Sequence, residues 1–111
     1  MEITETHESQ CAIVAIKGRI DSYTAPQFME TLNSITNRGV FTIILDLFEV
    51  VYISSAGLRV LIDMLKTCKK SNRGELILVN TPQRVIETLD LAGFTPLFRF
   101  FSDVESARKQ I

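Results

Sequence analysis

The segment VYISSAGLRVL, residues 51–61, places two hydroxyls, Ser54 and Ser55, between an apolar run and a run with helical spacing. Four chemistries are open to a serine there: capping a helix, attacking as a nucleophile, lining a phosphate-binding loop, or accepting a phosphoryl group. Capping needs least, because a side-chain oxygen at a helix start accepts a hydrogen bond from a free amide of the first turn. A nucleophile needs a base in reach. The only histidine, His7, is expected in an exposed turn, and the residues around the serines do not form a G-x-S-x-G elbow. A phosphate loop needs several glycines or a G-x-x-x-x-G-K-S/T run, and Gly57 stands alone. A phosphoacceptor needs only access by a kinase and tolerance of a dianion. A helix start supplies the tolerance, since its free amides and its dipole favour negative charge. A phosphate would add about −1.5 to −2 charges at pH 7 and change the surface more than the fold. Capping and phosphate acceptance stay open for both serines.

The elements that position them follow from pattern. Ile3–Thr6 and Cys11–Ile16 read as two strands joined by the polar turn His7-Glu8-Ser9-Gln10, an antiparallel hairpin. In GRIDSYTAP, Thr24 is a candidate N-cap and Pro26 suits a first helical turn. Ala25, Phe28, Leu32 and Ile35 then recur at helical spacing up to Gly39. Phe41–Leu47 (FTIILDL) is a buried-strand pattern, with Asp46 expected to bond nearby backbone. After the serines, Leu58, Leu61, Ile62 and Leu65 form an apolar helix face. Arg59–Asp63 and Asp63–Lys66 are surface pairings, and Asn72-Arg73-Gly74 breaks the helix. Leu76–Val79 is a further strand. Thr81-Pro82 opens a helix with Val85, Ile86 and Leu89 inward and Gly93 at its end. Leu97–Phe101 is a last strand, and Ser102 with Glu105 forms a capping box for a terminal helix. The order ββαβαβαβα predicts one α/β domain over residues 1–111. Its sheet should be mixed, hairpin first and then parallel crossovers, under four helices.

Composition narrows the function. The chain is 46% hydrophobic and 23% charged, with net charge −1, so no basic field holds nucleic acid or an anionic membrane. Lys66, Lys69, Lys70 and Arg73 read as a solvated helix end. Cys11 and Cys68 show no C-x-x-C or zinc spacing and fall on apolar stretches, so buried free thiols are expected and no metal or cofactor. The N-terminus MEITETHES is not a signal peptide and no apolar run is long enough to span a bilayer, which points to the cytoplasm.

DLFEVVYISSAGLRVL (46–61) resembles the signature of STAS-domain anti-sigma factor antagonists, D-L-S-x-V-x-F/Y-I/M-D/S-S-A/S/T-G-L-x-x-L. GRIDSYTA is similar to the family's G-x-I/L-D segment, and NTPQRVIETLDLAGF to its penultimate helix. The resemblance runs from Ile3 to Ala107. It implies partner switching. The unphosphorylated antagonist binds an anti-sigma factor that is also a serine kinase, and so frees the sigma factor. The kinase phosphorylates a serine at the start of the second helix and the complex dissociates. A PP2C-type phosphatase restores the binding form. Aligned on Gly57-Leu58, the acceptor falls on Ser55, with Ser54 where many members carry aspartate and so a second candidate. The implied partner surface comprises Asp21, Ser22, Tyr23 and Thr24, and Tyr52, Ile53, Ser54, Ala56, Gly57, Leu58 and Arg59. Asp21 would either orient the acceptor hydroxyl or serve the helix entry. Phe48 replaces a small polar residue; inward packing is the favoured expectation, and an exposed apolar contact for a partner is the alternative.

Three other readings compete. The same module could serve secretion or a signalling enzyme rather than a sigma factor. A small hydrolase using Ser55 lacks a base. A ligand-binding domain cut from a transporter is set aside on the expectation that 111 residues are the whole chain.

Overall fold

The computed structural model describes Met1–Ile111. Five strands, β1 (Glu2–His7), β2 (Ala12–Ile20), β3 (Thr42–Ile53), β4 (Glu75–Val79) and β5 (Arg99–Phe101), lie in the order β1-β2-β3-β4-β5. β1 pairs antiparallel with β2, and every other pair is parallel. The helices are α1 (Ala25–Asn37), α2 (Ser55–Lys70), α3 (Gln83–Leu91) and α4 (Val104–Arg108), with a 3-10 turn at Thr95–Leu97. The expected mixed α/β sheet is therefore present.

The crossovers through α1, α2 and α3 all step the same way across the sheet. Right-handed connections of that kind put their helices on one face. The main core lies there: Ile43 and Leu45 of β3 meet Phe28, Leu32, Leu61, Met64, Val85 and Leu89. The strand alternation sends Ile44 and Ile77 to the opposite face, where Ala107 of α4 covers them with Cys11 and Val79. Both cysteines are buried and free.

Several local expectations are corrected. β3 does not stop at Leu47 but runs on to Ile53. Two register shifts against β2, around Lys17 and Gly18, each place an extra residue on β3. The buried positions Leu47, Val50 and Ile53 thus fall three apart, and the strand loses its period of two. Phe48 does not pack: it is 71% exposed. On α2, the buried stripe is centred on Leu61, Met64 and Cys68, with Ile62 only at its edge. Asp63 pairs with Arg59 at 3.7 Å and not with Lys66. At α3, Pro82 itself is the N-cap and Thr81 makes no capping bond, its buried Oγ1 being without a partner. At α4, Asp103 rather than Ser102 caps, accepting from the Ser106 amide at 2.8 Å, while Glu105 pairs with Arg108.

Candidate functional site

The parallel ladder of β2 and β3 ends at Ile20 opposite Ile53, and the site is built on those two strand ends. Beyond Ile53 the Ser54 amide donates to the Ile20 carbonyl at 2.8 Å. That bond holds the start of α2 against the loop that leaves β2. Gly57 fits into the junction. A Cβ there would come within 2.7 Å of side-chain carbons of both Ile20 and Ile53. The two segments singled out in the sequence, Asp21–Thr24 and Tyr52–Arg59, are therefore brought together at the C-terminal ends of parallel strands, where open α/β sheets build their sites.

The two serines differ. Ser54 is half-buried and extended, and its Oγ accepts from the Gly57 amide at 3.4 Å as the N-cap of α2. Ser55 is the first helical residue, is exposed, and its hydroxyl has no partner within the protein. No acidic residue occupies the first turn of α2. A negative group on Ser55 would face free amides and the positive end of a 16-residue helix.

The loop beside it is fixed by Asp21 and Thr24. The Asp21 carboxylate accepts from the amides of Tyr23 and Thr24, each at 3.0 Å. The Thr24 hydroxyl accepts from the Asp21 amide at 2.9 Å and donates to the Arg19 carbonyl at 2.9 Å. Thr24 thus sits at the N-cap position without capping α1 through its side chain, contrary to expectation. Asp21 serves the helix entry and makes no bond to either serine. The Thr24 amide, with the Thr24 hydroxyl, the Tyr23 amide and Arg19, holds its carboxyl below the usual aspartate range despite some desolvation. This rigid loop presents Tyr23, 91% exposed, to solvent.

Of the remaining partner-surface residues, Ser22 and Arg59 are exposed and Tyr52 is partly so, while Ala56 is half-buried. Ile53, Gly57 and Leu58 are buried and shape the surface from beneath rather than facing out. Arg19 was not picked out from the sequence, yet it links the two segments. Its guanidinium lies 4.4 Å from the Tyr52 ring centre and 3.6 Å from Asp21. Its place two residues before the aspartate in GRIDSYTA was the available signal. Asp46 behaves as expected, accepting from the Phe48 amide, and also from Asn80 at 3.1 Å.

Nucleophilic catalysis finds no support in this geometry. His7 lies opposite Ala12, at the other end of the sheet from Ser55, and is engaged with Glu5 and Arg38. The chain belongs to the STAS domain family, whose profile matches residues 2–107. It is 31% identical over 107 residues to BtrV of Bordetella bronchiseptica, a protein named as an anti-sigma factor antagonist, with 96% of this chain and 91% of that one covered. The anti-sigma-B factor antagonist of Listeria monocytogenes is 29% identical over 84 residues, covering 76% and 73%. Among solved structures, an anti-sigma factor antagonist of Thermotoga maritima superposes with TM-score 0.91 at 21% identity over 98% of this chain and 93% of that one. Phosphorylated SpoIIAA of Bacillus gives 0.77 at 14% identity over 99% and 100%. The chain is a homologue of anti-sigma factor antagonists, which are binding regulators rather than enzymes. No helix is long and apolar enough to cross a membrane.

Proposed function

We propose that this protein is a phosphorylation-switched antagonist. In its unphosphorylated form it binds an anti-sigma factor that is also a serine kinase, and so releases a sigma factor. Phosphorylation of Ser55 ends the binding, and a PP2C-type phosphatase restores it. The observation that carries this reading is the division of labour between the serines: Ser54 is occupied as a cap, and Ser55 is exposed with its hydroxyl unengaged.

The docking surface consists of the exposed parts of Asp21–Thr24 and Tyr52–Arg59, with Ile53, Gly57 and Leu58 supporting it. An interface closing over Ser55 would strip water from any phosphate placed there. An uncompensated buried dianion is costly, so one phosphate is enough to abolish binding. The fold tolerates the same phosphate, because it stands at the start of α2.

Binding of the cognate kinase to purified variants tests this. Ser55→Ala binds and resists phosphorylation, and Ser55→Asp binds at least tenfold more weakly. Tight binding by the Asp variant with none by the Ala variant would refute the proposal.

A further inference from the structure

α2 is seated on the sheet through Leu61, Met64 and Cys68, but its flank toward the end of α3 is open. There Ile62, Ala92 and Phe94 line a hollow of about 570 Å³ that begins at Ser55. A second hollow, of about 530 Å³, lies between Ile62 and Leu97. The two share Ile62 and Lys66 and form one groove along the helix. Its apolar lining is not wholly core, because Leu97 is 47% exposed.

The rim near Ser55 carries the Arg59–Asp63 pair, and toward the C-terminal end of α2 it is basic. Lys66, Lys69 and Lys70 all line it, and none of the three takes part in an ion pair. Lys69 and Lys70 lie in the last turn of α2, where they also complement the helix dipole. Lys66 lies outside that turn, and its near neighbour Asp63 is turned to Arg59. The groove therefore combines an apolar floor with cations that have no partner inside the protein.

We propose that this groove docks an acidic amphipathic helix of the partner protein. It is open along its length, so it does not enclose a small molecule as ligand pockets do. α2 is about 24 Å long at the usual rise per residue, enough to receive several turns of a second helix. A helix laid there would set an apolar stripe at i, i+3, i+4 and i+7 against Ile62, Phe94 and Leu97. Acidic residues on its flank would meet the three lysines. The groove begins at Ser55, so the inference deepens the proposed function by naming the chemistry of a partner segment. It rests on that reading for the partner's identity alone.

The test uses the full chain and two synthetic peptides of the same length with one leucine stripe, one flanked by glutamates and the other by lysines. The glutamate peptide binds at least tenfold more tightly than the lysine peptide and weakens as salt rises. Its amide shift changes map to Ile62, Phe94 and Leu97. Leu97→Asp and Lys66→Glu, both at sites that do not carry the core, each reduce its affinity tenfold or more while leaving the thermal midpoint within a few degrees. Equal binding of the two peptides, shift changes elsewhere, no binding at millimolar concentration, or binding only to vesicles containing phosphatidylglycerol would each overturn the proposal. Failure to find phosphate on Ser55 would leave all of these results unchanged, so the two readings fail separately.

Discussion

The Ser54 amide donates to the Ile20 carbonyl at 2.8 Å, and this one bond joins two segments that are more than thirty residues apart in the chain. Behind it Ile20 and Ile53 close on Gly57, leaving no room for a side chain. In front of it Ser55 and the Asp21–Thr24 loop face solvent. The proposed docking surface is thus built on the β2 and β3 strand ends, which hold its two segments together.

The two serines should separate in stability measurements. Ser54→Ala removes the α2 cap and should cost about 1 kcal/mol, within the usual range for such caps. Ser55→Ala removes a hydroxyl with no partner and should change stability by less than about 0.5 kcal/mol. Urea unfolding of both variants checks this.

Two glycines should resist replacement to different degrees. Gly57→Ala would gain about 1 kcal/mol of helix propensity but must push aside side-chain carbons 2.7 Å away, and should be destabilising overall. Gly74→Ala should be worse. Its Cβ would lie 1.9 Å from the Cys68 carbonyl oxygen, so backbone at the end of α2 must move. Thermal unfolding should rank wild type above Gly57→Ala and Gly57→Ala above Gly74→Ala.

Acid should weaken the fold through the loop at Asp21. Its carboxyl is held below the ordinary 3.8, chiefly by the Thr24 amide, as that of Asp103 is by the Ser106 amide. The unfolded chain therefore takes up these protons first as pH falls. The stabilisation is complete above the ordinary value, declines as pH falls below it, and is gone below the depressed folded-state value. Asp21→Asn should flatten the acid limb of a stability profile while changing stability less below pH 3 than at pH 7.

The thiols should be inert in the fold. Burial pushes the Cys68 thiol up to about 11 and raises that of Cys11 as well. The reactive thiolate is then scarce at pH 8. A disulfide-exchange reagent at that pH should label both only as fast as the protein unfolds, with labelling accelerated by urea.

Much of this architecture was legible in the sequence because periodicity reports burial directly. Phe28, Leu32 and Ile35 marked α1, and the β-branched run through Ile43–Leu45 marked β3. The end of β3 was not legible, since its bulges spaced Leu47, Val50 and Ile53 by three, which a strand pattern does not show. Caps were read as types but not as geometry. Thr24, Thr81 and Ser102 all have suitable side chains, yet Asp21 and Asp103 do the bonding around two of these helix starts and no side chain caps the third. At the site, the motif singled out two adjacent serines, and the structure assigns Ser54 to the cap and leaves the Ser55 hydroxyl free. Phe48 carried no signal of its exposure, because an aromatic residue in an apolar strand normally points inward.

The exposed Tyr23 should matter for binding and not for folding. Large aromatic side chains dominate interfaces, so Tyr23→Ala should weaken association with the cognate kinase by about tenfold or more. Its thermal midpoint should stay within a few degrees of wild type, because the ring is 91% exposed. Calorimetry of binding and of unfolding on the same preparation separates the two effects.

Peptide-mapping mass spectrometry of the protein isolated from its native cells, with phosphatase inhibitors present, tests the central claim most directly. The account predicts a single phosphoryl group on Ser55. A phosphate on Ser54, or none under any growth condition, would contradict it.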